Sequence, residues 1–181
     1  HDAAALGLAL PEPTLGGLVA YLVLLRKWNA AYNLTAVRDA VQMRVQHVAD
    51  CLAVVEPLRR RIGQARPSRI LDVGSGGGLP GVVLALVEST WDVSCVDAVG
   101  KKAAFVRQVA GELALPNLHA LHARVEALPG PPFDVITARA FASLPHLAPW
   151  TRRLLPPGGV WRATWGRRRE EEHTILPVDI D

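Results

Sequence analysis

An α/β fold, a parallel sheet layered between helices, is what this 181-residue sequence predicts. Three observations predict it. From Arg69 onward, short apolar runs alternate with stretches of helical spacing. The first run, Ile70-Leu71-Asp72-Val73, passes at once into Gly74-Ser75-Gly76-Gly77-Gly78. The second, Val93 to Val96, ends on an acid, Asp97.

The elements follow in order. Residues 14–31 read as a helix with Thr14 as its N-cap, because Leu15, Leu18, Val19, Leu22, Leu25 and Trp28 recur at helical spacing. Tyr32-Asn33-Leu34-Thr35 breaks the pattern. A second helical stretch, in two pieces, runs from Asp39 to Leu58 and is ended by Arg59-Arg60-Arg61. This makes a helical N-terminal cap of residues 1–66 before a core of residues 67–181. In the core, Pro80 to Glu88 reads as a helix with proline in its first turn. Gly100 to Leu115 is a helix carried by Ala103, Val106, Val109, Ala110 and Leu113. Leu118 to His122, Phe133 to Thr137 and Val160 to Thr164 read as strands, and Leu144 to Leu155 as a helix.

Composition excludes several classes. Half the residues are apolar and a fifth charged, which rules out a disordered chain. The charge-free stretch Pro13 to Leu25 is too short for a ~20-residue membrane span. The start, His1-Asp2-Ala3, lacks a basic n-region, so no signal peptide is expected. The net charge is +3, with a mildly acidic middle between basic ends, a distribution that suits contact with a polyanion. Cys51 and Cys95 fit no metal spacing. Cys95 reads as a buried small hydrophobe, and a reducing cytoplasm is the expected setting.

The most informative segment is Leu71-Asp72-Val73-Gly74-Ser75-Gly76-Gly77-Gly78-Leu79-Pro80-Gly81. Glycines directly after a first strand let the backbone turn sharply and approach a ligand closely, and the following helix offers free backbone N–H groups. Gly76-x-Gly78-x-x-Gly81 is the dinucleotide pattern, which alone is a weak signal. Asp97, 23 residues beyond Gly74, is placed to accept both ribose hydroxyls of either NAD or S-adenosylmethionine. Asp72, two residues before the glycines, is the S-adenosylmethionine-type feature: it stands where a methionine amino group needs a charge-assisted partner.

With these residues in view, the chain resembles the family of bacterial small-subunit ribosomal RNA guanine-N7 methyltransferases, formerly called glucose-inhibited division protein B. The resemblance runs from about Leu24 to Gly159. It includes Arg26-Lys27-Trp28-Asn29, Tyr32-Asn33-Leu34-Thr35, His47-x-x-Asp50 and the glycine block. It continues through Asp97 with Gly100-Lys101-Lys102, Phe105-x-Arg107-Gln108, Arg124-Val125-Glu126 and Arg139-Ala140-Phe141-Ala142-Ser143-Leu144. It implies a class I, Rossmann-like S-adenosylmethionine-dependent methyltransferase fold, a mostly parallel seven-stranded sheet under a helical cap. It implies methylation of a guanine N7 in the 530 loop of 16S ribosomal RNA, with 16S RNA or the small ribosomal subunit as partner. Gly74, Gly76, Gly78 and Leu79 would line the cofactor pocket, Asp97 would hold the ribose, and Val125 and Glu126 would flank the adenine. Arg139 would stand at the methyl-donor end as the catalytic residue. Lys101, Arg107 and Arg124 are the candidate RNA contacts. No metal is expected, nor a membrane, and the chain is expected to act as a monomer.

Other readings stand beside this one. An NAD-dependent oxidoreductase would use the same glycines but needs a hydride-handling residue, and none is evident. A non-catalytic RNA-binding relic is the third reading. Its motive is Trp165-Gly166, where the family carries Lys-Gly, and a short tail that leaves the last strands of the sheet incomplete. Trp28 reads as core. His119 and His122, on opposite faces of one strand, do not share a metal.

Overall fold

In a computed structural model the described residues are 8–32, 34, 48–62, 68–130, 132–139, 144–157, 160–164 and 175–177. The first helix, α1 (Glu12–Tyr32), starts earlier than the periodicity predicts. Pro11 ends the preceding chain and its carbonyl already accepts from the Leu15 amide at 3.1 Å, which puts Thr14 inside the first turn and not at the N-cap. Leu18, Tyr21, Leu25 and Asn29 form its buried face. Two short helices follow, α2 (Asp50–Ala53) and α3 (Val55–Ile62). The arginines do not end α3: Arg59, Arg60 and Arg61 lie in its last turn, where cations meet the negative end of the helix dipole. Arg59 also binds Glu88, at the C-cap of the helix Gly81–Val87, and Glu56 on its own helix. The stretch expected from Asp39 lies outside the described residues as far as His47.

The core is built from β1 (Ser68–Val73), α4 (Gly81–Val87), β2 (Trp91–Asp97), α5 (Gly100–Glu112) and β3 (Leu118–His122). Then come β4 (Val135–Arg139), α6 (Leu144–Thr151), β5 (Val160–Thr164) and β6 (Ile175–Pro177). A single 3-10 turn, Val125–Ala127, follows β3, and another, Arg152–Leu154, follows α6. The latter replaces the last turn of the helix expected to Leu155. The sheet order is β3-β2-β1-β4-β5-β6. Pairings from β3 to β5 are parallel, and β6 runs antiparallel on β5. Residues Ile175–Pro177 thus add a strand at an edge the sequence reading leaves open. β4 starts two residues later than expected, because Phe133 is spent before the sheet: its amide binds the Leu154 carbonyl at 2.6 Å and its ring lies under the Arg69 guanidinium.

Strand alternation sends side chains to two cores. Ile70 and Val93 join α1, α3, α4 and α5 in one apolar cluster that includes Leu18, Tyr21, Leu25, Leu58 and Phe105. Leu71, Val73 and Ile136 face the other way, toward Val125, Phe133, Leu147, Leu154 and Trp161. Both faces of the sheet are therefore covered, which is why its strands read as unbroken apolar runs. Trp28 is half-buried and packs on Phe105 with ring centroids 5.4 Å apart. The chain order reverses between β2-β1 and β4, so the loops after these strands open a crevice at their carboxyl ends.

Candidate cofactor and RNA site

The glycine loop is folded back across the end of β2. The Gly74 and Ser75 amides donate to the Val96 carbonyl at 2.9 and 3.3 Å, and the Gly78 amide to Ser75 at 2.8 Å. Gly78 has φ +83°, and a Cβ there would run into Val82 and Val106. Gly81 is required for a different reason: a Cβ would strike the Cys95 sulfur and lie 3.0 Å from Asp72 Oδ2.

Asp97 ties the loop to the next helix. Its Oδ2 accepts from the Gly76 amide at 3.0 Å and its Oδ1 from the Val99 amide at 2.9 Å. Lys102 Nζ is 3.8 Å from Oδ2. Each carboxylate oxygen retains a lone pair for a ribose hydroxyl. Asp97 also lines a cleft of about 160 Å³ with Val73, Gly74, Val96, Ala98, Ala123, Arg124, Val125, Glu126 and Trp150. That is below the ~300–1,000 Å³ of a whole-ligand pocket. It has room for one end of an extended cofactor, between Ala98 and the Val125–Glu126 turn and beside Asp97 and the start of the glycine loop. The residues present fit S-adenosylmethionine in that sense.

Asp72 lies elsewhere. It is fully buried beneath the loop, its Oδ2 accepting from the Gly81 amide at 3.0 Å and its Oδ1 from the Thr137 hydroxyl at 3.1 Å. It does not line the cleft and is closed over by Gly81 and Thr137, so it anchors the loop and presents no open carboxylate to an amino group. Burial pushes its carboxyl up to about 7, while the Gly81 amide, the Thr137 hydroxyl and the Arg139 charge pull it down. Arg139 closes β4, with Nη2 3.9 Å from Asp50 Oδ2 of α2. Its charge also lowers the Cys51 thiol, which burial nevertheless carries up to about 12. Arg139 is thus set beside Asp50, Cys51 and Asp72 and does not line the cleft.

The other expected site residues separate. Gly74, Asp97, Arg124, Val125 and Glu126 come together at the cleft. Gly76 reaches it through its amide on Asp97, whereas Gly78 and Leu79 are the buried end of the loop. Lys101 is exposed at the start of α5, its Nζ 5.5 Å from the Tyr32 ring centroid, and Arg107 is exposed further along the same helix. His119 binds Asp92 and His122 binds the Ala98 carbonyl, so they are apart. His47, Trp165 and the Arg167 to Glu172 run lie outside the described residues. Among the described residues no cluster of three metal-ligating side chains occurs, and no helix is long and apolar enough to cross a membrane.

The sequence reading missed Trp150, which walls the cleft from α6, and Tyr21, whose hydroxyl reaches the glycine loop from α1. Nothing in local spacing marks either, since each acts on residues far away in the chain.

Comparison with known proteins finds relatives over nearly the whole chain. Residues 15–179 match the family described as rRNA small subunit methyltransferase G. The chain is 54% identical over 187 residues to the ribosomal RNA small subunit methyltransferase G of Acidovorax sp. (strain JS42), covering 99% of this chain and 82% of that one. It is 55% identical over 179 residues to the protein of the same name from Leptothrix cholodnii, again covering 99% and 82%. Among solved structures, a SAM dependent methyltransferase from Aquifex aeolicus superimposes with a TM-score of 0.54 at 18% identity, covering 72% of this chain and 71% of that one, a likeness of fold. The relatives are methyltransferases, which removes the oxidoreductase reading of the glycines.

Proposed function

The chain belongs to the family of ribosomal RNA small subunit methyltransferase G, and on that footing we propose that it transfers a methyl group from S-adenosyl-L-methionine to N7 of a guanine in the 530 loop of 16S ribosomal RNA. The observation that carries the donor half of this reading is the cleft at the carboxyl ends of β1 to β3. There Asp97, held by two backbone amides, shares one crevice with Gly74 and the Val125–Glu126 turn. Family membership supplies the acceptor.

The chemistry asks for positioning. S-adenosylmethionine supplies a sulfonium-activated methyl group, and guanine N7 already has an in-plane lone pair, so the transfer is an in-line displacement that needs no general base. Asp97 takes the ribose hydroxyls, and Val125 and Glu126 flank the adenine. The loop Gly74 to Leu79 lies along the methionine portion, held from below by Asp72. Arg139, reaching from the end of β4 with Asp50 as its counter-charge, stands at the methyl-donor end, where its planar fork orients the target base or a phosphate. Lys101, Arg107 and Arg124 hold RNA phosphates, with salt-dependent affinity. The target is a single-stranded loop base, the kind of RNA element read by stacking and edge hydrogen bonds. The protein works as a monomer in the cytoplasm.

The test is incubation with tritiated S-adenosylmethionine and small ribosomal subunits from cells lacking the modification, with the labelled base mapped by its alkali lability. Label at one guanine of the 530 loop is expected. RNA binding with no turnover at any base would instead support the non-catalytic relic and overturn the enzymatic reading.

A further inference from the structure

The corner where α6 ends carries two side chains that the family comparison does not assign, and both bear on one wall of the cleft. Arg153 reaches back to the 3-10 turn at Val125–Ala127 and gives its guanidinium to three carbonyls. Nη1 donates to Leu128 at 2.8 Å, and Nη2 donates to Glu126 at 2.8 Å and to Val125 at 3.2 Å. A lone turn of this kind has weak intrinsic stability and leaves carbonyls unsatisfied at its end. Its own bonds are only Ala127 to Arg124 at 3.0 Å and Leu128 to Val125 at 3.2 Å. The rigid, planar fork of arginine suits several acceptors at fixed angles, which a lysine ammonium does not reproduce. The corner is itself anchored. Trp161 Nε1 donates to the Thr151 hydroxyl at 2.8 Å, and that hydroxyl donates to the Leu147 carbonyl at 2.8 Å. Trp150, one residue before this anchor, lines the same cleft and keeps 37% of its surface exposed, a large aromatic face at the mouth of a crevice.

We propose that the Trp150–Arg153 corner is part of the methyl-donor site: Trp150 contacts the purine ring of the cofactor, and Arg153 is a positioning residue that sets the Val125–Glu126 turn against that ring's other side. This rests on the methyl-donor reading above and adds two residues to it. Arg153 acts through backbone carbonyls, so its loss weakens donor binding and leaves RNA binding intact. Trp150 acts by contact, so its indole reports occupancy.

The experiment titrates the full chain with S-adenosyl-L-homocysteine, following intrinsic fluorescence and heat, and in parallel measures binding to small ribosomal subunits. The wild type binds with a change in tryptophan emission. Trp150→Phe loses most of that change and binds a few-fold more weakly, although four other tryptophans remain. Arg153→Met binds the homocysteine compound about tenfold more weakly with subunit binding unchanged, and Arg153→Lys recovers only part of the loss. If Arg153→Met melts at a lower temperature yet binds with wild-type affinity while folded, or if Trp150→Phe keeps the full emission change, the proposal is overturned and the methyl-donor reading stands. If the wild type itself fails to bind S-adenosyl-L-homocysteine, both fall together.

Discussion

The Tyr21 hydroxyl donates to the Gly77 carbonyl at 2.6 Å, across 56 residues of sequence and with the tyrosine fully buried. Helix α1 thereby holds the middle of the glycine loop. The same helix places Leu25 against Gly77, so the loop is packed from below by one tyrosine and one leucine of α1. Burial raises the phenol well above its ordinary range, with Cys51, Cys95 and Asp72 adding to the rise, so it remains a donor at every working pH.

Tyr21→Phe deletes only that donor and leaves the buried Gly77 carbonyl unsatisfied. The expected cost is about 1–3 kcal/mol of stability. The measurable signature is a lower urea midpoint with an unchanged m-value, together with weaker binding of S-adenosyl-L-homocysteine. An unchanged midpoint would show that the bond contributes nothing net.

Asp72 gives the protein a pH-dependent stability of definite sign. Its carboxyl titrates at about 7 in the folded chain, against ~3.9 for a free aspartate. The folded state holds the proton more tightly, so this stabilisation is complete below about pH 4 and is lost as pH rises toward 7. Arg139 and Asp97 also face this group, the first lowering and the second raising its affinity for the proton. Asp72→Asn keeps an acceptor for the Gly81 amide and a donor for the Thr137 oxygen but cannot titrate. Urea unfolding from pH 4 to 7 is expected to slope downward for wild type by at most ~1.4 kcal/mol per pH unit and to be flatter for the variant.

Asp97→Ala removes the carboxylate acceptor of the Gly76 and Val99 amides, as well as the proposed ribose partner. Hydrogen bonds to charged groups contribute about 1.5–3 kcal/mol each. The expected result is a KM for S-adenosylmethionine raised at least ~10-fold, with a smaller change in KM for the ribosomal subunit. Equal loss on both substrates would argue for a collapsed loop and not a lost ribose contact.

Gly78→Ala forces an L-residue into the left-handed region at φ +83° and drives its methyl into Val82. The backbone term alone is about 1–2 kcal/mol. A loss of ~2 kcal/mol or more in chemical denaturation is expected, with abolished donor binding at 25 °C. Wild-type stability in this variant would mean that the loop can relax around the methyl.

Much of the core was legible because its punctuation is local. Glycines after Val73 and acids at Asp72 and Asp97 mark strand ends, and the apolar runs of β1 and β2 reflect a sheet covered on both faces. The helix starts and ends were less legible. Thr14 suggests a cap, but α1 already begins at Glu12, directly after Pro11. The arginine run suggests a stop, but Glu56 and Glu88 give Arg59 partners within and beyond the helix. At the site, the residues on turns next to strands were readable by position. Tyr21, Trp150 and Arg153 were not, because their partners lie far along the chain and only packing brings them together. Asp72 was legible as an acid at the right place, while its burial, which redirects it from ligand to loop, comes from Thr137 and Gly81 closing over it.

Asp72, Cys95 and Thr137 stand side by side on three adjacent strands, with Gly81 directly over the first two. That arrangement constrains the order in which substitutions can accumulate. A methyl group at position 81 strikes the sulfur at 95, so alanine at 81 is open only to a lineage that has first shortened residue 95, and even there the methyl meets Asp72 Cβ at 3.2 Å. The reverse order passes through a clashing intermediate. Positions 72, 81 and 95 are therefore expected to form an epistatic unit, in which a change harmful in one sequence background is tolerable in another.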